Sequence, residues 1–270
     1  MASSLILVGC GKMGGALLEG WLERGVAPAD IVVVEPHSQA AVPAARHGVT
    51  VVAAADALPG NGRPDVVVFA VKPQMTDDVV PGYARFADRG AVFLSIAAGK
   101  TIGYFQRHLG ADAAIIRAMP NTPAAVRRGM TVACASRSVA EAQRQLCDDL
   151  LGAVGEVAWI DDEAHLDAVT ALSGGGPAYV FLLVEGLAQA GIEAGLPADL
   201  AARLARVTVA GSGELLARSS EPPAVLRRNV TSPGGTTAEA LKVLMGADGW
   251  QPLLNRAILA AARRSRDLAG

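Results

Sequence analysis

Leu5-Ile-Leu-Val8 runs directly into Gly9-Cys-Gly-Lys-Met-Gly14, and Met13–Arg24 follows with apolar residues at helical spacing. Four consecutive branched apolar residues suit a strand buried on both faces. The glycines then fit G-x-G-x-x-G at a strand-to-helix turn. In that setting Gly9 makes the tight turn, Gly11 lets a pyrophosphate approach the backbone, and Gly14 lets helix and strand pack closely. The helix would aim its unpaired N–H groups at the phosphates. The triplet alone is a weak signal, but the strand before it and the helix after it point to a dinucleotide. The bland alternative is a glycine-rich turn with purely structural duties.

Working outward, similar apolar runs recur at Ile31–Val34, Val49–Val52, Val66–Val71, Ala91–Ile96, Ala114–Arg117, Met130–Ala135 and Val157–Ile160. Helix-length segments separate them, Val139–Gly152 being the last. This is the pattern of an α/β fold with a doubly wound, mostly parallel, Rossmann-type sheet. After Asp161 the pattern changes. Leu166–Leu172, Ala178–Ala194, Ala198–Ala217 and Trp250–Leu268 are rich in Ala and Leu at helical spacing, without a convincing strand. The reading is a dinucleotide-binding domain over residues 1–160 and an all-helical domain over 161–270.

Composition excludes several classes. The 270 residues are 51% hydrophobic but only 4% aromatic, which rules out a disordered chain. Mean hydropathy is +0.33, yet the longest unbroken apolar run, Ala178–Val184, is far short of the roughly 20 residues a membrane span needs. Met1-Ala-Ser-Ser4 has no signal-peptide character, so a soluble, cytoplasmic protein without a membrane partner is expected. A net charge of −2, from 24 basic and 26 acidic side chains, gives no drive toward nucleic acid. Cys10, Cys134 and Cys147 form neither a disulfide framework nor a metal pair, and the histidines lack zinc-type spacing, so no bound metal is expected.

Candidate ligand contacts gather where a sheet of this kind binds its ligand, at the carboxyl ends of strands. Gly9, Gly11, Lys12, Met13 and Gly14 form the phosphate turn. Glu35 ends the second strand about 20 residues after the glycine motif, where an acid would bond adenosine ribose hydroxyls and repel a 2′-phosphate. That favours NADH, although Pro36-His37-Ser38 could offer hydrogen bonds to a phosphate and so admit NADPH. Ala70, Lys72 and Pro73 end the fourth strand. Ala97 and Ala98 leave room for a flat ring, and Asn121 offers an amide to a nicotinamide carboxamide or ribose. A solvated lysine and an ordinary turn residue are the plain alternatives for Lys72 and Asn121.

In the helical half, Val230-Thr-Ser-Pro-Gly-Gly-Thr-Thr-Ala-Glu-Ala-Leu241 is a hydroxyl- and glycine-rich loop entering a helix. Thr236 or Thr237 can cap that helix, and converging N–H groups around Gly234 and Gly235 would make a carboxylate pocket. An ordinary capped helix start is the alternative. Ser173-Gly-Gly-Gly-Pro177 is either an inter-helix hinge or a point of close ligand approach.

Taken together, Gly9–Gly14, Val71-Lys-Pro-Gln74, Ser95-Ile-Ala-Ala-Gly99, Arg117-Ala-Met-Pro-Asn-Thr-Pro123, Ala171-Leu-Ser-Gly-Gly-Gly-Pro-Ala-Tyr179 and Thr231-Ser-Pro-Gly-Gly-Thr-Thr237 resemble the pyrroline-5-carboxylate reductases, in order and spacing. One departure is Gly175, where the family usually has Ser; no side-chain contact transfers to that position. The resemblance implies NAD(P)H-dependent reduction of the C=N bond of L-1-pyrroline-5-carboxylate to L-proline. It implies substrate contacts at Ser232, Gly234, Gly235, Thr236 and Thr237, with Thr237 the candidate catalytic residue at the ring nitrogen. It also implies a homo-oligomer, a dimer or ring of dimers, built through the helical domain with Ala178–Ala217 in the interface. The rivals are a β-hydroxy acid dehydrogenase, which needs a lysine base near the domain junction, and a non-catalytic NAD(P) sensor. Lys242 is the only lysine beyond Lys100 and lies past the Thr-rich loop.

Overall fold

The computed structural model describes residues 4–269, with side chains for 4–268; the reading of Met1–Ser3 falls outside them. The chain divides into two compact units, one of residues up to Gly174 with those from Ala261 onward, the other Gly175–Ala260.

The first unit is built on eight strands: β1 (Leu5–Val8), β2 (Ile31–Val34), β3 (Thr50–Val52), β4 (Val66–Phe69), β5 (Val92–Ser95), β6 (Ala114–Met119), β7 (Gly129–Ala135) and β8 (Gly155–Trp159). Their order is β3-β2-β1-β4-β5-β6-β7-β8. All neighbours are parallel except β6 and β7, where Ile116 faces Ala135. The cause is the short link between them, residues 120–128, since a parallel crossover takes about a dozen residues or more. Each strand lies on an expected apolar run. β4 stops at Phe69, two residues early, because Ala70 and Val71 turn into the loop beyond the sheet.

Alternation along β1 assigns the two faces. Leu5 and Leu7 join Leu17, Leu18 and Trp21 of α1 (Lys12–Glu23) in one core. Ile6 and Val8 join an aromatic core of Phe69, Tyr83, Phe86, Phe93 and Phe105 on the other. Burying each such aromatic stabilises the fold by about 1.5–3 kcal/mol. Further helices of this unit are α2 (Ser38–Arg46), α3 (Thr76–Val79), α4 (Ile102–Leu109), α5 (Glu141–Gly152) and α6 (Leu166–Val169). A ten-residue 3-10 helix, Val80–Arg89, lies between α3 and β5, with Pro81 in its first turn. Arg117 on β6 is buried and donates to Glu163 (2.8 Å), whose same oxygen accepts the Ile102 N–H at the start of α4 (2.8 Å).

The second unit holds α7 (Gly176–Glu193), α8 (Ala198–Arg218), α9 (Pro223–Asn229), α10 (Thr236–Leu244) and the first half of α11 (Trp250–Ala269). Gly191 packs within van der Waals reach of Ala201, so α7 and α8 approach through small side chains. Large apolar residues of α7, α8 and α11 stay uncovered: Phe181, Leu182, Val207, Leu215 and Leu253 are all more than half exposed. The stretch Glu163–Glu193 is long and apolar enough to cross a membrane by length and composition. Counting only unbroken apolar runs overlooks it, because glycines and single polar residues punctuate the stretch.

Candidate active site

The carboxyl ends of β1 to β4 open onto a cavity of about 570 Å³, within the range of small-molecule sites. Gly9, Gly11, Glu35, Ala70 and Lys72, all expected ligand contacts, line it together. Gly9 has φ of +93°, and a Cβ there would lie 2.8 Å from the Ala70 carbonyl oxygen, so this turn requires glycine. Gly14 is closed in the same way by the Gly9 carbonyl. Gly11 differs. A Cβ at Gly11 would meet no protein atom within 4 Å, so the space over it is open to a ligand, and it stands at the N-cap of α1. An open backbone approach at a helix N-terminus fits a pyrophosphate.

Glu35 is no solvated strand-end acid. It is buried, with Oε2 accepting the Cys10 N–H (2.8 Å) and Oε1 the His37 N–H (3.0 Å). The carboxylate thereby ties the glycine turn to the end of β2. Asp56 and Asp78 also line the cavity, whereas Lys72 is the one lysine and no arginine is present among its lining residues. Burial, with the Glu35 charge next, pushes the Cys10 thiol up to about 11, so the turn carries a neutral thiol.

The other expected cofactor contacts lie outside the cavity lining. Lys12 and Met13 open α1, and Pro73 opens a 3-10 turn whose carbonyl accepts the Thr76 hydroxyl (2.8 Å). Ala97, with its N–H on Ser95 Oγ (3.2 Å), and Ala98 follow β5. Loops after β4 and β5 are linked through Asp77, whose Oδ1 accepts the Tyr104 hydroxyl (2.6 Å) and Lys100 Nζ (3.4 Å). These bonds hold the Asp77 carboxyl below the usual range, Tyr104 contributing most. Asn121 is turned inward: Oδ1 accepts the Met130 N–H (2.9 Å), and Nδ2 donates to Ser173 Oγ (3.1 Å).

Ser232, Gly234, Gly235, Thr236 and Thr237 form their own cluster within the helical unit. Gly234 has φ of +68°, and the Gly235 N–H donates to the Ser232 carbonyl (3.1 Å). The helix cap is Gly235, without a side-chain cap bond; Thr236 and Thr237 are the first two helical residues. The expectation that either threonine caps α10 is corrected on this point, because a cap must precede the first helical residue. Their own N–H groups have no acceptor within the helix, and both residues are exposed.

Sequence reasoning missed Ala53, Ala54, Ala55 and Asp56 beyond β3, and Gly82 and Tyr83 of the 3-10 helix, all of which line the cavity. The first four sit at a strand's carboxyl end, so the rule that found Lys72 could have found them. Gly82 and Tyr83 carried no such signal.

Comparison with known proteins agrees with this geometry. Residues 163–268 match the pyrroline-5-carboxylate reductase dimerisation family, and residues 4–99 match the coenzyme F420-dependent NADP oxidoreductase family. The chain is 40% identical to pyrroline-5-carboxylate reductase of Pseudomonas aeruginosa, over 98% of this chain and 96% of that one. It is also 40% identical to that of Synechocystis, over 99% of both. The solved structure of the Coxiella burnetii reductase superposes with a TM-score of 0.93 at 33% identity, covering 100% of both chains. That of the Plasmodium falciparum enzyme with NADP bound gives 0.82 at 28% identity, over 99% of this chain and 98% of that one.

Proposed function

The chain belongs to the pyrroline-5-carboxylate reductase family, and from that premise we propose which reductant it prefers and how its residues serve the reaction. It is an NAD(P)-dependent oxidoreductase of proline biosynthesis, reducing the C=N bond of L-1-pyrroline-5-carboxylate to give L-proline. The preferred reductant is NADH. One observation carries this: the Glu35 carboxylate is fixed by two backbone N–H groups inside a cavity that also holds Asp56 and Asp78. Two like unit charges 4 Å apart repel by about 4 kcal/mol at an effective dielectric constant of 20. A 2′-phosphate would meet that repulsion without an arginine in the lining to offset it.

When bound, the nicotinamide supplies the hydride. The chain's task is to hold two flat rings face to face at about 3–3.5 Å. Residues 1–160 hold the cofactor, with Gly9–Gly14 on the pyrophosphate, Glu35 on the ribose, and Ala70, Lys72, Pro73, Ala97 and Ala98 toward the nicotinamide. Residues 161–270 hold the substrate and the second subunit. Gly234 and the N–H groups of Thr236 and Thr237 receive the substrate carboxylate at the positive end of α10. Gly235 acts differently, keeping the turn closed on Ser232. The Thr237 hydroxyl bonds the ring nitrogen and keeps its proton in place while the neighbouring carbon is reduced. A protonated imine is already electrophilic, so positioning is the main demand. Lys72, exposed at the cavity rim, draws in the anionic ligand.

The protein is a homo-oligomer through its helical domain. We read Ala178–Ala217 as part of the interface, with dimers able to assemble further into rings. Three buried free cysteines suit a reducing, cytoplasmic setting. Steady-state turnover with pyrroline-5-carboxylate, measured separately with NADH and NADPH, tests the proposal. A kcat/KM at least about ten-fold higher with NADH is expected, a gap of about 1.4 kcal/mol. A ratio favouring NADPH overturns the cofactor reading, and no turnover with either overturns the substrate.

A further inference from the structure

Asn121 was expected to reach the nicotinamide, yet its amide is engaged within the protein at both ends. Oδ1 accepts the Met130 N–H at the head of β7 (2.9 Å). Nδ2 donates to Ser173 Oγ (3.1 Å), with the Ser173 carbonyl oxygen 3.4 Å away. Ser173 stands in a π-turn, Thr170–Gly174. Such turns are rare and gather at functional sites. Here the Thr170 hydroxyl donates to the Leu166 carbonyl (2.7 Å), a bond that competes with the regular helical ladder. The turn is also seated on β6: a Cβ at Gly174 would lie 2.6 Å from Met119 Cε, two residues before Asn121.

One side chain therefore joins three segments: the loop Met119–Pro123 at the carboxyl end of β6, the start of β7, and the π-turn. That loop lies beside Ile96–Gly99, since β5 and β6 are parallel neighbours. Asn is suited to the place because it accepts from one partner and donates to the other, which neither an acid nor a hydroxyl does with this reach.

We propose that Asn121 and Ser173 are a positioning pair for hydride transfer, Asn121 acting through Ser173 and Met130 and not by contact with the nicotinamide carboxamide. This rests on the reductase reading. The pair fixes the backbone of Met119–Pro123, so its loss misplaces the reacting rings without removing a cofactor contact. Small misplacements of this kind reduce the rate of the chemical step far more than binding.

The test is a double-mutant cycle on the full-length oligomer with Asn121→Ala, Ser173→Ala and both, plus Ser173→Thr, which restores the hydroxyl. Expected are a fall in kcat of about ten-fold for Ser173→Ala, a KM for NADH within about two-fold of wild type, and recovery in Ser173→Thr. The double variant should fall no further than Asn121→Ala alone. Wild-type kcat in Ser173→Ala, combined with a raised KM for NADH in Asn121→Ala, would place Asn121 on the cofactor and overturn the pair. Thermal unfolding of the same four proteins reads the coupling without any turnover: non-additive Tm shifts support it and additive shifts contradict it. Wild type failing to turn over pyrroline-5-carboxylate would instead indict the reductase reading. Should Ser173→Ala not fold, Ser173→Thr with Asn121→Ala still decides between the two placements.

Discussion

Phe93 and Phe181 are the same residue type on regular elements and meet opposite fates. Phe93, on β5, is 0% exposed and lies in an aromatic cluster with Phe69, 6.1 Å between ring centroids. Phe181, on α7, is 62% exposed, next to Leu182 at 65%. The contrast holds across the two units. The sheet unit covers its strands from both sides with its own helices. The helical unit buries no residue of α7, α9 or α10. Exposed apolar surface of this kind marks an interaction site, and residues 163–268 match the dimerisation family. The first unit carries its core within one chain; for the second, we propose that another copy completes it.

The largest effect should come from the interface. Phe181→Glu with Leu182→Glu removes two apolar side chains of about 1.5–3 kcal/mol each, counted twice where the interface is two-fold. The dissociation constant should rise at least about a thousand-fold, seen as a fall in mass by light scattering, with activity lost in step. An unchanged mass would break the comparison from the helical side. Phe93→Ala breaks it from the other side. It should lower unfolding stability by about 3–5 kcal/mol, in denaturant melts whose loss is the same at high and low protein concentration. A concentration-dependent loss would mean that the sheet unit also leans on a partner.

Two smaller effects sharpen the account. Glu35→Ser removes the charge and the acceptor of the Cys10 N–H, and should move the NADH-to-NADPH ratio of kcat/KM toward NADPH by about ten-fold. An unmoved ratio would take Glu35 out of cofactor choice. Least of all should change in thiol labelling. Burial pushes Cys10 up to about 11 and Cys147 up to about 12, and raises Cys134. At pH 8 all three are neutral thiols, so Ellman's reagent should find almost none in the native protein. All lie in the sheet unit, so this holds for the interface variant too; rapid labelling there would show the sheet unit opening with the interface.

The same contrast explains what could be read from sequence. Leu5–Val8 and Val66–Phe69 are unbroken apolar runs because both faces of each strand are buried by the same chain, and that leaves a plain record. Gly9 and Glu35 were legible because a tight turn and a strand end permit few residue types. Ala53–Asp56 follow a strand's carboxyl end and were open to the rule that found Lys72, whereas Gly82 and Tyr83 sit in a 3-10 helix that only the tertiary fold brings to the cavity, so no local spacing signals them. At Asn121 and Gly235 the residue types were read well but the partners were not: an inward amide and a glycine cap depend on Ser173 and Ser232, which local pattern does not reveal. The helical unit showed its long helices, since Ala and Leu recur at helical spacing, but not the short α9 (Pro223–Asn229) or which face is covered.

The claim that the helical unit finishes its core on a second copy is tested most directly by the mass of the wild-type protein in solution at micromolar concentration. An integral multiple, two or more, of the 27.6 kDa chain is expected. A monodisperse species of 27.6 kDa that retains full reductase activity would contradict it.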